Sequence, residues 1–159
     1  MEDVFKILDE IGVAYKRYDH EAAFTCEEAD VHCAHIEGPH CKNLFLRDRK
    51  GKKHYLVVVP AEKRVDLKRL AADLDEVQLG FASSERLMKY LGLMPGSVSP
   101  FGLINDRGRE VHLIVDKELW DGGVLNVHPN VNTATLRVAI EDFEKFLAWW
   151  GGVWEVREI

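Results

Sequence analysis

No apolar stretch in this 159-residue chain approaches the roughly 20 residues that a membrane-spanning helix requires, so a membrane location is not expected. Cysteine is scarce as well. Cys26, Cys33 and Cys41 are the three thiols, an odd number with no obvious pairing, which suits a reducing cytoplasm rather than a disulfide scaffold. The N-terminal Met1–Lys6 segment is acidic and lacks the basic and apolar regions of a secretory leader. Basic residues are outnumbered, 21 Lys and Arg against 27 Asp and Glu, for a net charge of −6. A protein that coats nucleic acid is normally basic, so DNA is not an expected partner. A small contact with one end of an RNA remains open. Metal signatures are missing too. His20, His32, His35 and His40 lie close in sequence to the cysteines, but no C-x-x-C or H-E-x-x-H spacing occurs, and no metal or other cofactor is expected.

What the chain does have is apolar substance, 47% of its residues, enough for one domain whose core needs no staple. Val4, Ile7, Leu8 and Ile11 fall on one face of a helix that Gly12 can end. Val13–Tyr18 reads as a strand, and Thr25–Glu28 as a capping box opening a short helix. Asn43–Arg47 and His54–Val59 form a hairpin around Arg49–Lys52. Asp66 and Ser83 or Ser84 cap two further helices, the second ending at Gly92. A second hairpin is expected from Gly102–Asn105 and Glu110–Val115, followed by strands at Val124–Val127 and Thr133–Val138. The amphipathic helix Ile140–Trp150 stops at Gly151-Gly152. Mixed strands and helices of this kind make an α+β or mixed α/β fold.

Three segments carry candidate chemistry. Gly96-Ser97-Val98-Ser99-Pro100 is a loop that bares backbone amides, and the apolar run Phe101–Ile104 is expected to pin it to a strand. Fixed, exposed N–H groups can hold a carbonyl oxygen as it becomes negative. Lys42 stands where the chain enters the apolar strand Asn43–Leu46, which would hold its stem against the core and its ammonium at a rim, suited to a phosphate. His128 lies in the polar turn Asn126–Asn130 and could position a substrate or act as a base. Cys41 beside Lys42 is the best thiol nucleophile candidate, because a neighbouring cation lowers a thiol pKa, although a semi-buried structural role is the plainer reading. Arg47, Arg49, Lys50, Lys52 and Lys53 form a basic hairpin opposed only by Asp48, which would either blunt a strand edge or meet phosphates. Trp149, Trp150 and Trp154 read as packing residues at the end of an amphipathic helix.

The segments Cys41–Leu46, Gly96–Leu103 and Asn126–Leu136, with Val59–Lys68 and Gly102–Asp106 between them, resemble in order and separation the freestanding prolyl-tRNA editing domains. The resemblance spans nearly the whole chain. It implies one domain over residues 1–159, with a central, mixed and mostly antiparallel sheet flanked by helices. It also implies hydrolysis of alanine wrongly attached to proline tRNA, without a cofactor or a covalent cysteine intermediate. A branch acting on cysteinyl-tRNA(Pro) shares the fold and the lysine, and a non-catalytic aminoacyl-tRNA-binding module is the alternative of a different class. On this resemblance Lys42 lies at the terminal adenosine, where its ribose hydroxyl helps activate water. Gly96, Ser97, Val98, Ser99, Pro100 and His128 complete the catalytic set. Asn43 contacts substrate, and Phe24, Val31, Ile36 and Leu44 are candidate pocket walls. The partner implied is the acceptor end of aminoacyl-tRNA(Pro), with Arg47, Arg49, Lys50, Lys52 and Lys53 on its phosphates and prolyl-tRNA synthetase as a further partner.

Overall fold

A computed structural model describes residues 3–22, 36 and 38–159. Phe24, Val31 and the capping box at Thr25–Glu28 therefore lie outside the described residues, as do Cys26, Cys33, His32 and His35.

Helix α1 (Val4–Ile11) starts at Asp3, whose carboxylate accepts from the Phe5 and Lys6 amides, and ends at Gly12 in the left-handed conformation, φ 78°. It is followed by β1 (Lys16–Asp19), shorter than the Val13–Tyr18 strand expected because Val13 turns inward as a core residue. The hairpin β2 (Cys41–Asp48) and β3 (His54–Pro60) forms as the sequence indicates, antiparallel with Lys42 opposite Val59. Next come α2 (Leu67–Asp73), capped by Asp66, the short β4 (Leu79–Phe81), and α3 (Ser84–Leu91), capped by Ser83 and closed by Gly92. Beyond a 3₁₀ helix at Pro100–Asn105 lie β5 (Val111–Asp116), α4 (Lys117–Asp121), β6 (Val124–Val127) and β7 (Ala134–Ala139). The chain closes with α5 (Ile140–Trp150), which carries the boundaries expected of it, and β8 (Trp154–Arg157).

The fold is α+β, and the described strands form two sheets rather than one central sheet. The larger runs β4-β2-β3-β5-β8, antiparallel at β4-β2-β3 and parallel at β3-β5-β8. The smaller, β1-β7-β6, is wholly antiparallel. A single parallel bridge between His40 and Asn126 links them at the start of β2.

Strand alternation divides the core. On one face of the large sheet Phe45, Leu56, Val58, Leu113 and Val115 pack with α1, α3, α5 and the small sheet. On the other, Leu46, Tyr55, Val57, Val59 and Ile114 pack beneath Leu70 and Ala71 of α2. Every residue of β3 is buried, as a strand covered on both faces must be.

Two expectations are corrected. Gly102–Asn105 is not a strand, and it forms no hairpin with Glu110–Val115. Ser99 accepts from the Phe101 amide and Pro100 takes the first helical position, so the segment winds as a 3₁₀ helix. Gly102 lets it press on α3 and the segment behind it: a Cβ there would stand 2.6 Å from Leu93 Cδ1 and 3.2 Å from Leu91 Cβ. β5 then finds its partner far away in sequence, pairing parallel with β3 from His54 opposite Val111 onward.

Candidate active site

The Gly96–Pro100 loop is held from three sides. Gly96 takes φ 88°, a left-handed value that favours glycine. The Ser97 amide is spent within the loop on Met94 O at 3.1 Å. From β2, Asn43 Nδ2 donates to Val98 O at 3.0 Å. Ser99 is fully buried, and its hydroxyl donates to the His128 backbone oxygen at 2.5 Å while accepting from the Phe101 amide at 3.1 Å. Asn130, at φ 64°, adds a fourth tie through Nδ2 to Phe101 O at 3.2 Å. Asparagine tolerates that conformation better than most side chains. The amides of Gly96, Val98 and Ser99 donate to no described residue. Of these N–H groups, those of exposed Gly96 and half-buried Val98 are the donors that the loop can offer to an anionic oxygen.

His128 is oriented by its backbone surroundings. Its Nδ1 lies 3.0 Å from Ala134 O. A carbonyl can only accept, so Nδ1 carries the proton and Nε2 keeps its lone pair. Burial pushes the His128 pKa below its ordinary 6.5, outweighing the opposing Ala134 bond, and His20 adds to the lowering. The two imidazoles meet edge-on, 6.3 Å between centroids. His20 is fixed in the same manner, Nδ1 at 2.8 Å from Glu21 O and Nε2 receiving the Thr135 hydroxyl at 2.8 Å.

Lys42 and Asn43 leave β2 on opposite faces. Cys41 and Phe45 pack in the core beneath the loop, and Asn43 shares their face. Leu44 and Leu46 belong to the α2 side, and Lys42 shares theirs. Lys42 is half-buried, and its ammonium makes no hydrogen bond or ion pair with a described residue. The structure thus joins Asn43, His128 and the loop directly, and sets Lys42 beside them at the same end of the strand. β4 covers only Leu46–Asp48, so no described strand pairs with β2 outside Lys42. Of the expected pocket walls, Ile36 is buried and Leu44 half-buried.

Cys41 is no nucleophile here. Burial pushes its thiol pKa up to about 12, and Sγ donates to Asn126 O at 3.0 Å. The backbone around it is tied down too, since Asn126 Nδ2 donates to Pro39 O at 3.0 Å. Among the described residues no cluster of three or more His, Cys, Asp or Glu side chains could hold a metal. Nor is any described helix long and apolar enough to cross a membrane.

The basic hairpin lies at the other end of β2. Arg47 is half-buried, whereas Arg49, Lys50, Lys52 and Lys53 are exposed. At about 3.3 Å per residue, Arg49 stands roughly 20 Å along the strand from Asn43. The loop-tethering roles of Asn43, Ser99 and Asn130 were hidden in the sequence. Each tie joins positions 29 or more apart, and only the unusual polarity of the Asn126–Asn130 turn hinted at them.

With that geometry in view, the chain's likeness to known proteins has a physical footing. Residues 20–146 match the model of the aminoacyl-tRNA editing domain. The chain is 41% identical over 152 residues to a prolyl-tRNA editing protein of Acetoanaerobium sticklandii, covering 96% of this chain and 93% of that protein. It is 34% identical over 150 residues to the prolyl-tRNA synthetase associated domain-containing protein 1 of Xenopus laevis, covering 92% and 89%. In three dimensions it superposes on a solved candidate trans-editing enzyme for prolyl tRNA synthetase with a TM-score of 0.71 at 20% identity, over 99% of this chain and 96% of that one. The chain belongs to the aminoacyl-tRNA editing domain family.

Proposed function

We propose that this chain, as one editing domain over residues 1–159, hydrolyses alanine from mischarged alanyl-tRNA(Pro) in trans. Family membership carries the reaction class, deacylation of an aminoacyl-tRNA. The observation that favours this site is the Gly96–Pro100 loop, tethered by Asn43 and Ser99, with the amides of exposed Gly96 and half-buried Val98 unspent.

The ester carbonyl sits against those amides. Water adds to the carbonyl carbon, and the tetrahedral oxyanion takes the N–H groups, each such donor being worth about 10²–10³ in rate. The bond from carbon to ribose oxygen then breaks, and the proton lost by water ends on that oxygen. Alanine and a tRNA with a free terminal ribose are released. The neighbouring ribose hydroxyl steers the water. The neutral His128, with Nε2 as an acceptor, positions that hydroxyl or the substrate. Lys42, a flexible point charge at the open edge of β2 on the face opposite Asn43, takes the terminal phosphate. An aminoacyl ester is already reactive, so fixed donors and a placed water are sufficient catalysis.

Selection is steric. A pocket beside the loop admits a methyl group and excludes the pyrrolidine ring of proline; Leu44, which faces the α2 side of β2, is not one of its walls. Residues Arg47, Arg49, Lys50, Lys52 and Lys53 meet acceptor-stem phosphates, and the setting is the cytoplasm alongside prolyl-tRNA synthetase. The deciding experiment measures release from alanyl-, cysteinyl- and prolyl-tRNA(Pro) in parallel. Alanine release with prolyl-tRNA spared supports the assignment. Cysteine release alone moves the chain to the cysteinyl branch, and binding without turnover makes it a regulatory module.

A further inference from the structure

A second site lies at the far end of the 3₁₀ helix. Leu103, Ile104, Arg107, Arg109, Trp149 and Trp150 enclose an open cleft of about 340 Å³, with Asp106 at its base. The Asp106 carboxylate is consumed internally, accepting from the amides of Glu110 at 3.0 Å and Val111 at 2.9 Å. Arg109 is held at φ 54°, its Nε donating to Trp150 O at 3.0 Å. Trp149, the residue before, is 44% exposed. Trp150 is 4% exposed, and its indole N–H is buried without an acceptor among the described residues. An exposed aromatic face and two guanidiniums in one cleft suit a ligand with a flat π-system and anionic oxygens.

Position narrows the ligand. The 3₁₀ helix begins at the Gly96–Pro100 loop and ends at this cleft, a run of six residues or on the order of 12 Å at 2.0 Å per residue. β3 and β5 are parallel, with His54 opposite Val111. The cleft at residues 106–110 therefore lies at the same end of the sheet as the basic hairpin at 49–53.

We propose that this cleft binds a nucleotide of the single-stranded acceptor end of the tRNA, upstream of the terminal adenosine. A base stacks on Trp149 and its phosphate meets Arg107 and Arg109. The proposal rests on the deacylase reading for its choice of RNA, and the exposed tryptophan, which sequence alone reads as packing, becomes a recognition residue.

The test compares two substrates, alanyl-tRNA(Pro) and 3′-O-alanyl-adenosine, which has no upstream nucleotide. Trp149→Ala should raise KM for the tRNA about fivefold or more, as loss of one base stack does, and leave kcat unchanged. Trp149→Phe should restore it, and neither should affect the alanyl-adenosine reaction. Equal losses on both substrates, or an unchanged KM for the tRNA, would overturn the proposal. Binding is read separately from activity, with an uncharged four-nucleotide RNA ending in CCA. It should quench tryptophan fluorescence in the wild type, and the quench should shrink in Trp149→Phe and weaken as salt rises. A quench of undiminished depth in Trp149→Phe contradicts the stack on Trp149. Failure of the wild type to release alanine refutes the alanine assignment while leaving this binding result to stand or fall alone.

Discussion

Ser99 Oγ donates to the backbone oxygen of His128 at 2.5 Å, across 29 positions of sequence. This bond joins the loop that presents amides to the turn that presents an imidazole. The same oxygen accepts from the Phe101 amide, so one buried hydroxyl fixes the loop, the turn and the start of the 3₁₀ helix together.

Ser99→Ala leaves the His128 oxygen and the Phe101 amide without their buried partner. Each unmet group costs about 1–3 kcal/mol, so the urea midpoint should fall by a corresponding amount. The loop's amides also lose their fixed placement, and kcat for alanine release should fall more than KM rises. An active variant of unchanged stability would show that the bond positions nothing.

Activity should persist into mild acid. Burial holds the His128 pKa below 6.5, so the neutral ring with its Nε2 lone pair is retained as pH drops through 6.5. Protonation then removes the acceptor, placing the acid limb of the kcat profile below pH 6.5. His128→Ala should abolish that limb. An acid limb at or above pH 6.5 that depends on His128 would contradict the neutral-acceptor assignment.

His54 sets the acid stability of the hairpin. Burial, reinforced by the Arg86 guanidinium, lowers its pKa from 6.5 to about 4. Its Nε2 accepts from Arg86 Nη1 at 3.2 Å. The unfolded chain therefore takes up this proton before the native one does. The stability that His54 contributes is complete above pH 6.5 and is lost as pH falls toward 4, by up to about 3 kcal/mol. Urea midpoints measured from pH 7.5 to 4 should decline in the wild type and decline less in His54→Gln.

Gly102→Ala should destabilise by about 1–3 kcal/mol, the usual penalty of overpacking. Its new methyl would meet Leu93 Cδ1 at 2.6 Å. The 3₁₀ helix would have to lift from its neighbours and carry the loop with it. Thermal unfolding of the variant beside Gly108→Ala, whose Cβ would meet only the flexible Glu110 side chain from 3.3 Å, tests that directional claim.

Local signals were legible in the sequence. Periodicity and glycine stops placed α1 and α5, the caps at Asp66 and Ser83 opened α2 and α3, and the basic turn marked the β2–β3 hairpin. Partnerships between distant strands were not. Val111–Asp116 has the composition of a hairpin strand, but its hydrogen bonds go to β3 and β8, and no local turn announces that. Phe101–Ile104 is apolar enough for a strand, and tertiary packing of Gly102 on Leu93 turns it into a helix instead. β4, α4 and β8 are three to five residues long, too short for a period to emerge. At the site, Lys42, the loop and His128 were visible as motifs. The alternation that puts Asn43 rather than Lys42 under the loop emerged only with the register of β2.

The most direct test of the account is the rate of alanine release from alanyl-tRNA(Pro) under excess enzyme, for the wild type and for Lys42→Ala. The account predicts rapid release by the wild type, a loss of about tenfold or more in the variant at subsaturating enzyme, on the scale of one hydrogen bond to a charged group, and an unchanged fold by circular dichroism. Wild-type release no faster than spontaneous hydrolysis of the ester would contradict it.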